Sequence, residues 1–304
     1  MAANDAGQEY DARRAALRGH LAMLAFAALI SVSFSLGKRA APYLSPEAIT
    51  AARFLVGACI IALIAAPALR LQHFRAVWRY GVIGGLFAVY FVLMFEALRL
   101  TDPVSVAAIF TLIPAMSAVC GWFLLGQRAS RRATGALLLG AMGALWVIFR
   151  GDPARLAAFD VGPGEATFFV GCVAHAIYTP MTKRLSRGEP AAVFALGALV
   201  AGLLVTLAWG GGEAVAVDWL GLPPIGQIAV LYLGVAATAL TFVLTRYAAA
   251  RLPSGKVMAY GYLVPVFVIL WEGLFTGVWV AGVIWLGMLA TGAALVILLA
   301  EHDT

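Results

Sequence analysis

The sequence predicts an all-α membrane protein whose ten transmembrane helices form two inverted five-helix repeats, and three observations lead there. The chain is 63% hydrophobic and 12% charged, against roughly 45–50% apolar and 25% charged in soluble domains. Its mean hydropathy is +0.93, so it needs lipid as solvent. The apolar residues come in long runs separated by Pro, Gly or basic clusters, and at about 20 residues per span plus short loops ten such runs fill the 304 residues. Finally, the second half of the chain repeats features of the first.

Residues 1–18 carry Asp5, Glu9, Asp11, Arg13, Arg14 and Arg18 without an apolar core and read as a cytoplasmic tail. The span that follows is too long for a cleaved signal segment and lacks a small-residue cleavage site. Helices are expected at roughly 19–41, 46–69, 76–98, 103–126 and 132–149, forming a first repeat over 19–149. The second repeat, 163–300, is expected to hold helices at roughly 163–186, 189–209, 224–250, 253–276 and 278–300. Strands of a membrane barrel would alternate apolar and polar residues over about ten positions, and these runs do not.

Basic residues near the span ends set the orientation. One side collects Arg13, Arg14, Arg18, Arg70, Arg75, Arg79, Arg128, Arg131, Arg132, Lys183, Arg184, Arg187, Arg251 and Lys256. The other collects only Lys38, Arg39, Arg99, Arg150 and Arg155, which places both termini in the cytoplasm. The net charge of +6 is thus a topology signal and not a nucleic-acid footprint, since no single basic stripe forms. Cys59, Cys120 and Cys172 lie far apart in apolar runs, without metal or redox spacing, and read as free thiols.

The segment FEALRLTDPVSVAAIFTLIP, ending at Pro114, lines up without a gap on the segment ending at Pro265. SLGKRA at 35–40 similarly resembles TPMTKRL at 179–185. A repeat of five helices is odd, so its second copy enters the membrane from the opposite side. Exchange of conformation between inverted copies is a known route to alternating access.

On these residues, Phe95-Glu96-Ala97-Leu98 with Ile113-Pro114 and Arg246-Tyr247-Ala248-Ala249 with Val264-Pro265, the chain resembles the EamA family of the drug/metabolite transporter superfamily. The resemblance covers nearly the whole chain and looks most like bacterial exporters of amino acids, aromatic ones included. It implies a multi-pass protein of the bacterial inner membrane that exports small metabolites. Family members commonly open the first helix with Trp-Gly, where this chain reads Ser31-Val32-Ser33-Phe34-Ser35. They often place Gly-Glu after helices four and nine, where it has Gly126-Gln127 and Gly277-Val278.

Polar side chains in lipid must find partners, so polar stripes at helical spacing mark faces turned to protein or water. Such stripes are Ser31, Ser35 and Lys38; His175, Tyr178, Thr179 and Thr182; and Thr238, Thr241 and Thr245. Each has two readings, a substrate path or simple helix packing. Tyr90, Tyr178, Tyr260 and Trp271 lie deep within spans, away from the interfaces where Trp and Tyr gather. The expected substrate contacts are Tyr90, His175, Tyr178, Thr179, Tyr260 and Trp271. Pro114, Pro180 and Pro265 fall mid-helix, where each frees backbone carbonyls. Lys38, Arg53, Glu96 and Glu272 all gather toward the outer face on this topology and are expected to pair as a gating network. Snorkelling to the headgroups is the competing reading. His175 has no second ligand at metal spacing and reads as a hydrogen-bonded core residue outside any metal site.

The absence of a midspan carboxylate in helix one counts against a proton-exchanging pump for cationic drugs, and the absence of a dense basic patch disfavours sugar phosphates. A neutral or zwitterionic substrate with apolar bulk fits, and amino acids have that character. A broad-specificity drug or metabolite exporter is the alternative. An intramembrane enzyme would need a catalytic pair or an HExxH helix, and a channel would need charged or carbonyl rings; neither is visible. Expected partners are a small-molecule substrate and membrane lipid, with no nucleic acid, metal or cofactor; a monomer is compatible with this reading.

Overall fold

The computed structural model describes residues 2–300, and among them every regular element is helical. Nothing is described of the side chains of residues 1–12, so the expected tail charges Asp5, Glu9 and Asp11 lie outside the description. The elements in order are α1 (Ala2–Ala40), α2 (Pro46–Ala65), α3 (Trp78–Leu100), α4 (Pro103–Phe110) and α5 (Ile113–Leu125). They continue with α6 (Arg131–Ile148), α7 (Pro153–Ala158), α8 (Pro163–Leu185), α9 (Ala191–Ala216) and α10 (Pro224–Gly234). A π turn (Val235–Leu240) joins α10 to α11 (Thr241–Ala249). Next come α12 (Ser254–Ala259), a 3-10 turn (Tyr260–Leu263), α13 (Val264–Thr276) and α14 (Ile284–Leu299).

Seven stretches among the described residues are long and apolar enough to cross a membrane. They are Arg13–Ala40, Pro46–Ala68, Trp78–Leu100, Pro103–Leu125, Ala191–Ala216, Pro224–Ala249 and Gly255–Thr276. Helix α14 is apolar but shorter, and α6 and α8 fall outside that set. Arg131 and Arg132 at the start of α6, and His175 with Lys183 and Arg184 in α8, dilute those two helices.

Local chemistry explains the helix ends. Ser45, Asp102, Ser130 and Asp152 each accept hydrogen bonds from first-turn amides, with Pro at the first position after Ser45, Asp102 and Asp152. Both features satisfy or remove donors that a helix start leaves orphaned. Pro114 and Pro265 are not interior prolines: each opens a new helix after a break, whereas Pro180 does lie inside α8. The breaks correspond between the halves. Helix restarts fall at Ile113 and Val264, and left-handed caps at Gly126 (φ 68°) and Gly277 (φ 72°), each pair the same number of residues apart. A Cβ at either cap would meet the left-handed steric penalty, so Gly126→Ala and Gly277→Ala should each cost about 1–2 kcal/mol. A lower melting temperature of the detergent-purified protein would register it.

Side-chain bonds define the two ends of the bundle. At one end, Lys38 Nζ donates to the Thr101 carbonyl (3.0 Å), Thr101 donates to Glu165 (2.6 Å), and Arg39 meets Glu272 (2.8 Å). At the other, Arg79 bonds the Leu185 carbonyl (2.6 Å) and Glu189 (2.8 Å). Helix α8 therefore starts where α1 and α3 finish, and it finishes where α3 starts. Between the ends, α2 packs on α9, α3 on α8 and α9, and α6 on α14, while α1 lies against α11 and α13.

Candidate functional site

A cavity of about 300 Å³ lies inside the bundle, at the lower end of the range of small-molecule sites. Helix α3 supplies Phe87, Tyr90 and Phe91 to its wall, α8 supplies His175 and Tyr178, and α2 supplies Arg53. Pro114, at the break between α4 and α5, and Thr238, Thr241 and Thr245 of the π turn and α11 complete the polar and backbone-broken portion.

The aromatic wall is a connected cluster. Phe87 stacks on Tyr178 with centroids 4.9 Å apart and planes at 15°. It meets Phe91 edge-on at 4.6 Å, and Tyr90 meets His175 edge-on at 4.6 Å. These offset and edge contacts are the favoured geometries for aromatic pairs. The α3 periodicity explains them, because residues three and four apart share one helix face. His175 Nδ1 is buried and has no hydrogen-bond partner among the described residues.

Arg53 is 2% exposed. Its Nε donates to Thr238 Oγ1 (2.9 Å), its Nη2 to the Ala237 carbonyl (2.9 Å), and its guanidinium lies 3.7 Å from the centroid of the Phe91 ring. Glycines make this approach possible: a Cβ on Gly57 would sit 2.6 Å from Thr238 Cγ2, and one on Gly234 would run into Val56.

Of the expected substrate contacts, Tyr90, His175 and Tyr178 line the cavity and touch one another. Thr179, Tyr260 and Trp271 are not on its wall. The Thr179 hydroxyl donates to the His175 carbonyl (3.2 Å), and Trp271 Nε1 donates to Ser31 Oγ (2.8 Å). The Tyr260 hydroxyl lies 2.9 Å from His20 Nδ1. All three polar groups are engaged in protein contacts.

The four charges expected to form a gate are not brought together. Glu272 pairs with Arg39 and not with Lys38, while Glu96 takes its own neighbour Arg99 (3.2 Å). Lys38 bonds a backbone carbonyl, and Arg53 lines the cavity and bonds Thr238 and the Ala237 carbonyl, with no ion pair to a carboxylate among the described residues. The physical reason is rotation: adjacent helical residues point about 100° apart, so Lys38 and Arg39 face different neighbours. Sequence reasoning missed Arg53, Phe87 and Phe91 as wall residues. The signal for Arg53 was its depth. Seven residues beyond Pro46, it lies about 10 Å into the helix, too far for easy snorkelling.

A bundle of membrane-length helices around an aromatic cavity with a few convergent polar groups is the build of a multi-pass membrane protein that handles small solutes. Comparison with known proteins makes the class specific. The EamA-like transporter family model matches residues 17–149 and again 162–300, and the chain belongs to that family of membrane transporters. It is 27% identical over 177 residues to the uncharacterized transporter YyaM of Bacillus subtilis (strain 168), an alignment covering 56% of this chain and 58% of that protein. The chain thus spans somewhat over half the length of that relative. A protein of known crystal structure superposes with a TM-score of 0.65 at 21% identity, over 94% of this chain and 97% of its own, which is a likeness of fold.

Proposed function

We propose that this protein is a secondary transporter that exports small neutral or zwitterionic metabolites with an apolar body, amino acids including aromatic ones, across the bacterial inner membrane. In this reading ten spans form two inverted five-helix repeats that alternate access, with both termini cytoplasmic. The observation that carries it is the aromatic cavity, with Phe87, Tyr90, Tyr178 and His175 gathered on one wall. Such a wall covers a ring or branched side chain. The opposite chain sense of α1 and α8, and the matched helix breaks at Ile113 and Val264, support the inverted arrangement.

The cavity wall reaches Met23, Thr245 and Met258 near the end where α1 begins. The other end is bridged by Arg39–Glu272 and Lys38–Thr101. With the N-terminus cytoplasmic, this corresponds to an inward-facing arrangement.

Reconstitution into liposomes with a panel of labelled amino acids, with and without a proton gradient, tests the reading. Saturable transport of aromatic amino acids is expected. Tyr178→Ala and His175→Ala should reduce it several-fold while leaving insertion intact, since each removes wall contacts worth about 1 kcal/mol or more. Saturable transport of apolar cations with none of amino acids would overturn it in favour of broad-specificity drug efflux.

A further inference from the structure

We infer that Arg53 is the carboxylate-binding residue of the cavity, and that the substrate class is defined by a single carboxylate on an apolar or aromatic body, with the α-ammonium dispensable. This rests on the transport reading given above and widens its substrate class from zwitterions to monocarboxylate anions.

Among the described residues, Arg53 is the sole Arg or Lys on the cavity wall, and no Asp or Glu lines it. A buried cation without a counter-ion is costly in an apolar protein, and natural structures pair such groups or use them. Its protein contacts are all neutral: a hydroxyl, a carbonyl and the face of Phe91. They hold the guanidinium plane in place and leave its charge unbalanced.

Hydrogen bonding points the same way. Nη1 is buried and has no acceptor among the described residues, while Nε and Nη2 are both engaged. A guanidinium of the cavity wall that is held on two sides and leaves its third nitrogen without an acceptor has hydrogen-bonding capacity for an incoming anion, and carboxylate matches its geometry. The site is built from a distortion of the partner helix. The π turn at Val235–Leu240 lies where Ala237 presents its carbonyl to Arg53, and single π turns are frequent at functional sites. Thr238 is oriented in turn by donating to the Leu233 carbonyl (2.8 Å), so its oxygen accepts from Arg53 Nε in one fixed direction.

The wall offers an ammonium much less. Without an acidic side chain there, a substrate's ammonium can meet only neutral acceptors such as hydroxyls. A monocarboxylate neutralises Arg53, whereas a zwitterion does so only by bringing in a second unpaired cation. A bare amine would add positive charge to positive charge.

Three ligands sharing one ring separate these contributions: L-phenylalanine, 3-phenylpropanoate and 2-phenylethylamine, titrated calorimetrically against the purified protein in lipid nanodiscs. We expect 3-phenylpropanoate to bind at least as tightly as L-phenylalanine, and the amine to bind at least about tenfold more weakly than either. Arg53→Gln should weaken both acids by about 10- to 100-fold and leave the amine unchanged or improved. Arg53→Lys, which keeps the charge but loses the planar fork, should fall between. If Arg53→Gln does not fold, the three-ligand comparison on the native protein still decides. Amine binding equal to that of the acids, or acid binding unchanged in Arg53→Gln, overturns the assignment. If L-phenylalanine and the amine bind alike while 3-phenylpropanoate does not, the carboxylate assignment falls and the amino-acid reading stands. If none of the three binds, both fall.

Discussion

Glu189→Gln should destabilise the protein by about 3–5 kcal/mol, because it removes one partner of a buried ion pair and leaves the other charge uncompensated. The side chains of Arg79 and Glu189 are 4% and 3% exposed, and Nη1 reaches Oε1 at 2.8 Å. Arg79 opens α3 and Glu189 precedes α9, so the pair fastens two helices that also pack along their length. The second Glu189 oxygen accepts from the Arg187 amide (2.7 Å), which fixes the connection between α8 and α9. The double variant Arg79→Met with Glu189→Leu should recover most of the loss, since removing both charges also removes their desolvation cost. Thermal unfolding in detergent of the parent, Arg79→Met, Glu189→Leu and the double variant, followed by intrinsic fluorescence, reads the cycle. Equal losses in the double and single variants would contradict the account.

The same pair has a pH signature. Burial works to raise the carboxyl of Glu189, but hydrogen bonds from its own amide, from Arg79 and from Arg187, together with the Arg79 charge, hold it below its ordinary value. Because the folded value lies below the unfolded one, the stabilisation is fully present above about pH 4.3 and is lost as pH falls through the folded value. Glu189→Gln should lack this part of the acid dependence.

Gly84→Ala should cost about 1–3 kcal/mol, the range for overpacking a close interface, whereas Gly81→Ala and Gly85→Ala in the same helix should be neutral or slightly stabilising. A Cβ on Gly84 would lie 2.5 Å from the Ala198 carbonyl oxygen of α9 and collide with the Gly202 amide nitrogen. Those are backbone atoms, which cannot rotate away, so the helices must separate. Gly81 and Gly85 have nothing within 4 Å of the same built atom, and there Ala gains about 1 kcal/mol of helix propensity over Gly. Gly143 of α6 and Gly287 of α14 form a second such contact, each built Cβ lying 2.6 Å from the other's carbonyl oxygen. Gly143→Leu should therefore prevent normal assembly, seen as loss of the monodisperse peak in size-exclusion chromatography. Similar melting temperatures for Gly84→Ala and Gly81→Ala would refute the close-approach reading.

Lipid-soluble composition, helical class and the positions of most helix ends were legible in the sequence, because their causes act within a few residues. Apolar runs need no distant partner to be recognised, and Asp102 caps α4 through amides two and three residues away. Gly126 and Gly277 end their helices because the turn after each demands a positive φ. Even the correspondence between the two halves followed from such local marks. The break that turns Pro114 and Pro265 into helix starts was less visible, since a proline in an apolar run fits either a kink or a new first turn.

What the tertiary structure alone decided was which polar group meets which. Tyr90, His175 and Tyr178 share a wall because α3 and α8 pack at one rotation out of many, and the sequence fixes no such angle. Trp271 and Tyr260 have the same credentials as residues, yet Ser31 and His20 stand beside them and occupy their polar atoms. Glu272 chose Arg39 over Lys38 by a single residue of helical phase. Arg53 could be placed by depth but not by direction, because its partners, Thr238 and the Ala237 carbonyl, belong to a distant π turn. Hydrophobicity is a property of each residue and survives in the sequence. A hydrogen bond belongs to a pair, and its second member is known only once the helices are packed.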